Sequence, residues 1–129
     1  MPVKNSGNCF ACGPNNEHGL RLDIRPNTEG VEFVFTPPAR FQGWDGIVHG
    51  GIVSTLLDEL IAWACSDRGF EAVTGELVVR FRKPLPVGRP VRGIGRIVRE
   101  KGRLLVGESR LLDEAGETIA EAGGKMMKA

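Results

Sequence analysis

The 129-residue chain carries 17 Lys and Arg against 16 Asp and Glu, a formal charge of +1, so its field favours neither nucleic acid nor an anionic membrane. Hydrophobic residues at 41% and charged residues at 26% fit a globular chain rather than a disordered one. No apolar run approaches the roughly 20 residues of a membrane span, and the length suits one domain over residues 1–129.

The first segment, "MPVKNSGNCF", has no signal-peptide apolar region, which makes the cytoplasm the expected compartment. Residues 1–18 read as an N-terminal turn or extension. Three cysteines make no disulfide framework and agree with a reducing compartment. Cys9-Phe-Ala-Cys12 has the spacing of half a zinc site, and His18 stands as a third candidate ligand. No second Cys or His pair follows, and no βαβ pattern suggests a redox pair. Gly13-Pro14-Asn15-Asn16 therefore marks a tight turn, with neither metal nor cofactor expected.

From residue 20 the chain reads in strands. "LRLDI" (20–24) and "GVEFVF" (30–35) alternate apolar and polar residues around Pro26-Asn27, as a hairpin would. Pro37 and Pro38 end the second strand. A loop from Ala39 to Val48 leads into a helix that Arg68-Gly69 stops. Four further strands follow at 72–83, 90–100, 103–113 and 117–128. In the first of these Leu77, Val79 and Phe81 share one face. Six strands and one long helix, inserted between the second and third, make an α+β fold with an antiparallel sheet curling around the helix.

The helix has too many apolar residues between Ile52 and Cys65 for a single stripe, so it is expected to be covered on most sides. Ser54, Thr55, Asp58 and Glu59 break the pattern along one narrow strip. Its start is "HGG", His49 to Gly51. A helix N-terminus offers unpaired N–H groups and the positive end of a dipole, and glycine lets another molecule approach them. That suits a phosphate, a carboxylate or the oxyanion of an acyl transfer. A carboxylate such as Asp58 is costly to bury without purpose or partner. Either Arg40, Arg80 or Arg82 pairs with it, or it activates water or attacks. Gly50 and Asp58 stand eight residues apart, about 12 Å of helix rise. One acyl carbon cannot touch both ends of that span. An enzyme built on the two needs a second, antiparallel copy of the helix, as a two-fold dimer supplies.

"CFACGPNNEHGLRL", "FQGWDGIVHGGIVSTLLDE" and "TGELVVRFRKPLPVG" resemble the hotdog-fold thioesterases, specifically the acyl-CoA thioesterases of the phenylacetic-acid-degradation type. The most specific part is His-Gly-Gly followed by Asp nine residues after the His, here His49 and Asp58. The resemblance implies a hotdog fold, a curved antiparallel sheet around one central helix, dimerised and often paired again into tetramers. It implies a hydrolase that cleaves acyl-CoA to free acid and CoA. Asp58 then acts as base or nucleophile, Gly50 with help from Gly51 as oxyanion donor, and His49 as orienter of loop and thioester. Thr74, sixteen residues after Asp58, matches a residue that positions water. Some relatives carry Asn where this chain has Gly43, and Gln42 is the neighbour that can stand in for its contact. Glu59 is the rival acid, because other branches use Glu on this helix. Its alternative role is a hydrogen bond or salt bridge at the dimer interface.

Arg82 and Lys83, with Arg40 and Arg103 behind them, are the candidates for the CoA phosphates. Trp44, Trp63 and Phe70 are candidates for an acyl pocket. Two other readings are an acyl-thioester binding module and a hydroxyacyl-thioester dehydratase. The dehydratase is disfavoured because Arg40, not His, precedes Phe41-Gln42-Gly43.

Overall fold

The computed structural model describes residues 3–129, so the first two residues of the N-terminal extension lie outside the described residues. Its elements are β1 (Arg25–Pro26), β2 (Val31–Phe35), a short 3-10 turn (Ala39–Phe41), α1 (Gly50–Asp67), β3 (Ala72–Phe81), β4 (Val91–Lys101), β5 (Leu104–Leu112) and β6 (Thr118–Lys128). The six strands form one antiparallel sheet in the order β1-β2-β4-β5-β6-β3, with α1 packed against it. This is the expected hotdog architecture. Gly69, at φ 86°, ends the helix where the Arg68-Gly69 signal places its stop.

The expected strand at 20–24 is the main correction. Its alternation is real, since Leu20, Leu22 and Ile24 are buried while Arg21 and Asp23 are exposed. The backbone, however, turns left-handed at Arg21 (φ 52°), and the amides of Leu20 and Leu22 donate to the carbonyls of Phe10 and Ala11 instead of to β2. Only Arg25 and Pro26 pair with β2. Period-2 burial reports which side chains face inward, not which backbone they pair with.

The helix is covered less fully than its composition suggests. Val53, Leu56, Leu57, Leu60, Ile61, Ala64 and Cys65 are buried, while Ser54, Thr55, Asp58, Glu59, Ala62 and Trp63 stay half-buried along the face turned from the sheet centre. On the sheet side, glycines clear the way. A Cβ on Gly95 would fall 2.9 Å from both Cβ and O of Leu60, and one on Gly107 2.5 Å from the Ile61 side chain. Close packing leaves no slack for an added methyl. Gly95→Ala is therefore expected to lose about 1–3 kcal/mol of stability. An unchanged denaturation midpoint would contradict this account of the helix seat.

β3 lies at the sheet edge, bonded to β6 alone. Leu77 and Val79 turn to the core as expected. Phe81 is the exception at 57% exposure, and Val73 and Val78 are exposed beside it. None of the described helices is long and apolar enough to cross a membrane.

Candidate active site

The helix begins on His49, whose backbone (φ −57°, ψ 136°) is not yet helical. Its Nδ1 accepts from Gly51 N–H at 2.8 Å, and its carbonyl accepts from Ile52 N–H at 2.9 Å and Val53 N–H at 3.1 Å. An α-helix leaves its first four N–H groups without intrahelical carbonyls. Counting from the cap, His49 serves two of these four, Gly51 and Ile52, and its own N–H donates to Phe41 O at 2.9 Å, while Val53 N–H makes the first ordinary helical bond. The remaining one, Gly50 N–H, has no acceptor among the described residues. Gly51, paired with Gly50 in the sequence reading, spends its amide on the cap. Because Nδ1 is the acceptor, the neutral imidazole assigned from this contact carries its hydrogen on Nε2, leaving that N–H as a donor.

A cleft of about 420 Å³ opens at this point, lined by Gly43, Trp44, Ile47, Val48, His49 and Gly50. Gln42 closes the loop beside it, its Oε1 accepting from Gly46 N–H at 3.1 Å. That leaves the Gln42 amide N–H groups as its available donors. Gly43 is held against the histidine: a Cβ there would lie 3.3 Å from His49 Cα. Of the three aromatic candidates only Trp44 borders the cleft. Trp63 lies against Glu59 and Phe70 under the Lys128 ammonium.

Asp58 stands two turns further along α1. Thr74 Oγ1 donates to its Oδ1 at 2.7 Å. The ion-pair reading of Asp58 is not met, because Asp58 has no basic partner among the described residues. Arg82 pairs with Glu121 at 2.6 Å and Arg40 stacks on the Phe41 ring at 4.7 Å. Ser54 and Thr55, the other members of the strip, donate to the carbonyls of Gly50 and Gly51 on their own helix. Glu59 turns elsewhere, its Oε1 accepting from Trp63 Nε1 at 3.2 Å and from Cys9 Sγ at 3.9 Å.

Thr74 reaches Asp58 because of a bulge. Strict alternation from Leu77 and Val79 would put Thr74 on the face away from the helix. The β3–β6 register slips between Thr74 and Glu76, so the extra residue Gly75 inverts the parity upstream. Ala72 then packs on the core and Thr74 meets the carboxylate. The sequence signal for this, a glycine inside a strand pattern, is present and easily passed over. The role the resemblance implies for Thr74, positioning a water beside Asp58, makes a specific forecast. Thr74→Ala should lower kcat with KM little changed, and Thr74→Ser should be mild. Equal, large losses in both would mean that the methyl, and hence packing, is what matters.

The cations proposed for phosphate are engaged. Arg82 holds Glu121 below the ordinary carboxylate range through its hydrogen bond. Lys83 bonds Asp113 at 2.5 Å and Glu117 at 2.8 Å, which raises its own affinity for the proton and lowers that of Asp113. Arg103 donates to the Lys128 carbonyl. Arg40, near the cleft loop, has no acidic partner among the described residues. A larger depression of about 900 Å³, lined by Arg80, Arg92, Arg96 and Arg110 with interleaved glutamates, lies on the sheet face away from the helix. Neither Gly50 nor Asp58 borders it.

One helix on a curved antiparallel sheet is the hotdog architecture, and among the described residues its first amide has no acceptor and Asp58 no cation. Residues 45–120 match the family model of the thioesterase superfamily, and the chain belongs to that family. Among solved structures it is similar to protein RHA08564, a thioesterase superfamily protein (TM-score 0.88, 23% identity), covering 92% of this chain but only 62% of that one. It is similar to the E. coli PaaI protein of the phenylacetic acid degradation operon (TM-score 0.78, 24% identity, 84% of each chain). A third is a hypothetical thioesterase of Streptococcus pneumoniae TIGR4 solved with coenzyme A (TM-score 0.78, 17% identity, 84% of this chain and 85% of that one). That protein was also solved as an Asp-to-Ala and a Thr-to-Ala variant, at positions sixteen apart in its own chain. Among curated proteins none matches the sequence.

Proposed function

We propose that the protein hydrolyses acyl-CoA thioesters at a site assembled from two copies of the chain. The observation that carries this is the division of labour on α1: among the described residues, a first-turn N–H left free at Gly50 and a carboxylate without a cation at Asp58. In the proposed reaction the thioester carbonyl oxygen takes its hydrogen bond from Gly50 N–H, with the dipole of α1 behind it. The Nε2–H of His49 orients the acyl-thioester group at the cleft. Thr74 has spent its hydroxyl hydrogen on Asp58, so its oxygen can only accept from a further partner. A water donating one hydrogen to Asp58 and the other to Thr74 turns its lone pairs outward. Asp58 takes the proton as this water adds to the carbonyl, and the tetrahedral adduct collapses by breaking the C–S bond, the departing CoA thiolate taking that proton back from Asp58. Direct attack by Asp58, followed by hydrolysis of the anhydride, uses the same two residues.

Gly50 and Asp58 of one helix lie about 12 Å apart along the axis, too far to share one carbonyl. The unpaired outer edge of β3, with exposed Val73, Val78 and Phe81, supports a two-fold pairing that sets a second helix antiparallel to the first. The aspartate and threonine altered in the S. pneumoniae protein share the sixteen-residue spacing of Asp58 and Thr74, which supports the same pair here. Arg40, free of acids, is the first candidate for a CoA phosphate. Arg82 and Lys83 serve only if they leave their carboxylates. A panel of acyl-CoAs assayed with a thiol reagent, on protein whose size is followed by light scattering, tests the reading. Release of CoA by an oligomer is the expected result. A monomer active at full rate would refute the shared site, and binding without thiol release would favour the non-catalytic module.

A further inference from the structure

The motif read from sequence as a plain turn is built into a three-residue cluster. Cys9 Sγ, Cys12 Sγ and a Glu59 carboxylate oxygen all lie within 4.8 Å of one another. His18, the ligand considered from sequence, is not among them; it is exposed beside Glu17. The two sulfurs sit on a fixed knuckle. Gly13 N–H donates to Cys9 O at 2.9 Å, and a Cβ on Gly13 would fall 2.3 Å from Cys9 N and 2.5 Å from Gly7 O, so only glycine closes this turn. The amides of Leu20 and Leu22 bind the carbonyls of Phe10 and Ala11 and fix the knuckle to the body of the protein. The third group arrives from the centre of α1.

The charge of this cluster is not balanced. Glu59 accepts from the Trp63 indole and, at 3.9 Å, from a weak S–H donor, and it forms no ion pair among the described residues. Two thiols against an unpaired carboxylate is an arrangement that a cation completes, since a bound metal displaces thiol protons outright. Thiolate with carboxylate, on a rigid turn with Cys9 open to solvent as the entry path, is donor chemistry for zinc.

We propose that Cys9, Cys12 and Glu59 bind one zinc ion, which staples the N-terminal knuckle to the central helix. Binding releases the two thiol protons and leaves a fourth position for water. Glu59 bonds Trp63 and Cys9 while Thr74 bonds Asp58, so the staple uses none of the residues of the proposed hydrolysis and holds whether or not that reading does.

The test uses the untagged full chain, reduced and stripped of metal, with separate samples loaded with zinc and with cobalt. One metal per chain and a tetrahedral cobalt spectrum with thiolate charge-transfer bands are expected. Cys9→Ser and Cys12→Ser should each abolish those bands, and Glu59→Gln should weaken zinc at least about tenfold. Zinc no higher than in a buffer blank would overturn the proposal. So would a Cys9–Cys12 disulfide that persists under reductant, or full metal retention by a variant lacking both cysteines. The cobalt spectrum of the unaltered protein decides even if a variant fails to fold.

Discussion

Asp58→Asn should leave a folded oligomer that still binds CoA and hydrolyses acyl-CoA about 10²–10⁴ times more slowly, the usual contribution of a positioned base. The substitution keeps the shape and an acceptor for Thr74 Oγ1, so the 2.7 Å contact survives while the charge is lost. Because no basic side chain pairs with Asp58 among the described residues, removing the charge strands no buried cation. Loss of turnover should therefore come without loss of stability. Glu59→Gln should retain the greater part of the turnover, since that carboxylate addresses Trp63 and Cys9 rather than Thr74. Unfolding of Asp58→Asn would make Asp58 structural. A dead Glu59→Gln beside a working Asp58→Asn would mean that Glu59 is the acid.

Gly50→Pro is expected to lower kcat by about 10²–10³, the typical effect of losing one oxyanion donor. Proline suits this place for a physical reason. Gly50 is the first residue of α1, where proline is tolerated because that N–H has no intrahelical partner. His49, at φ −57° and ψ 136°, already has the extended backbone that a following proline demands. The ring would meet Phe81, whose nearest carbons lie 3.7 Å from the Cβ position, at ordinary contact distance. The variant thus deletes a single N–H from an otherwise intact helix. Gly51→Ala makes a different test, because it keeps the amide but sets a Cβ 3.1 Å from His49 Nδ1, so it shifts the ring that accepts that bond. Full activity in Gly50→Pro would remove Gly50 from the mechanism.

The elements that carry the proposed chemistry were legible where the signal is local. His-Gly-Gly before an apolar run locates the helix start, and Asp58 is conspicuous as a charge among leucines. What periodicity could not supply was anything that depends on partners. The segment 20–24 has the alternation of a strand but bonds to residues 10 and 11, a choice made by an N-terminal turn far from its own pattern. Thr74 sits on the wrong face by parity until the Gly75 bulge turns it. Gly50 and Gly51 are equivalent in sequence, and only the His49 side chain, folded back onto one of them, tells them apart. Arg82 and Lys83 look like free cations in a string of letters; their acids come from β6 and from the turn before it, up to 39 residues away. In sequence the Cys9–Cys12 pair has only His18 as a third candidate ligand, because the proposed one, Glu59, is 50 residues distant on the helix.

The central claim is that Gly50 and Asp58 act on one thioester from different copies of the chain. Co-purified mixed oligomers of Gly50→Pro and Asp58→Asn chains test it most directly. If the site is shared, a mixed dimer holds one site with both groups intact and one with neither, while each parent oligomer holds none. The account predicts that two nearly inactive proteins regain about half the wild-type turnover per mixed dimer, as shared two-fold sites require. Mixed dimers no more active than their parents would contradict it.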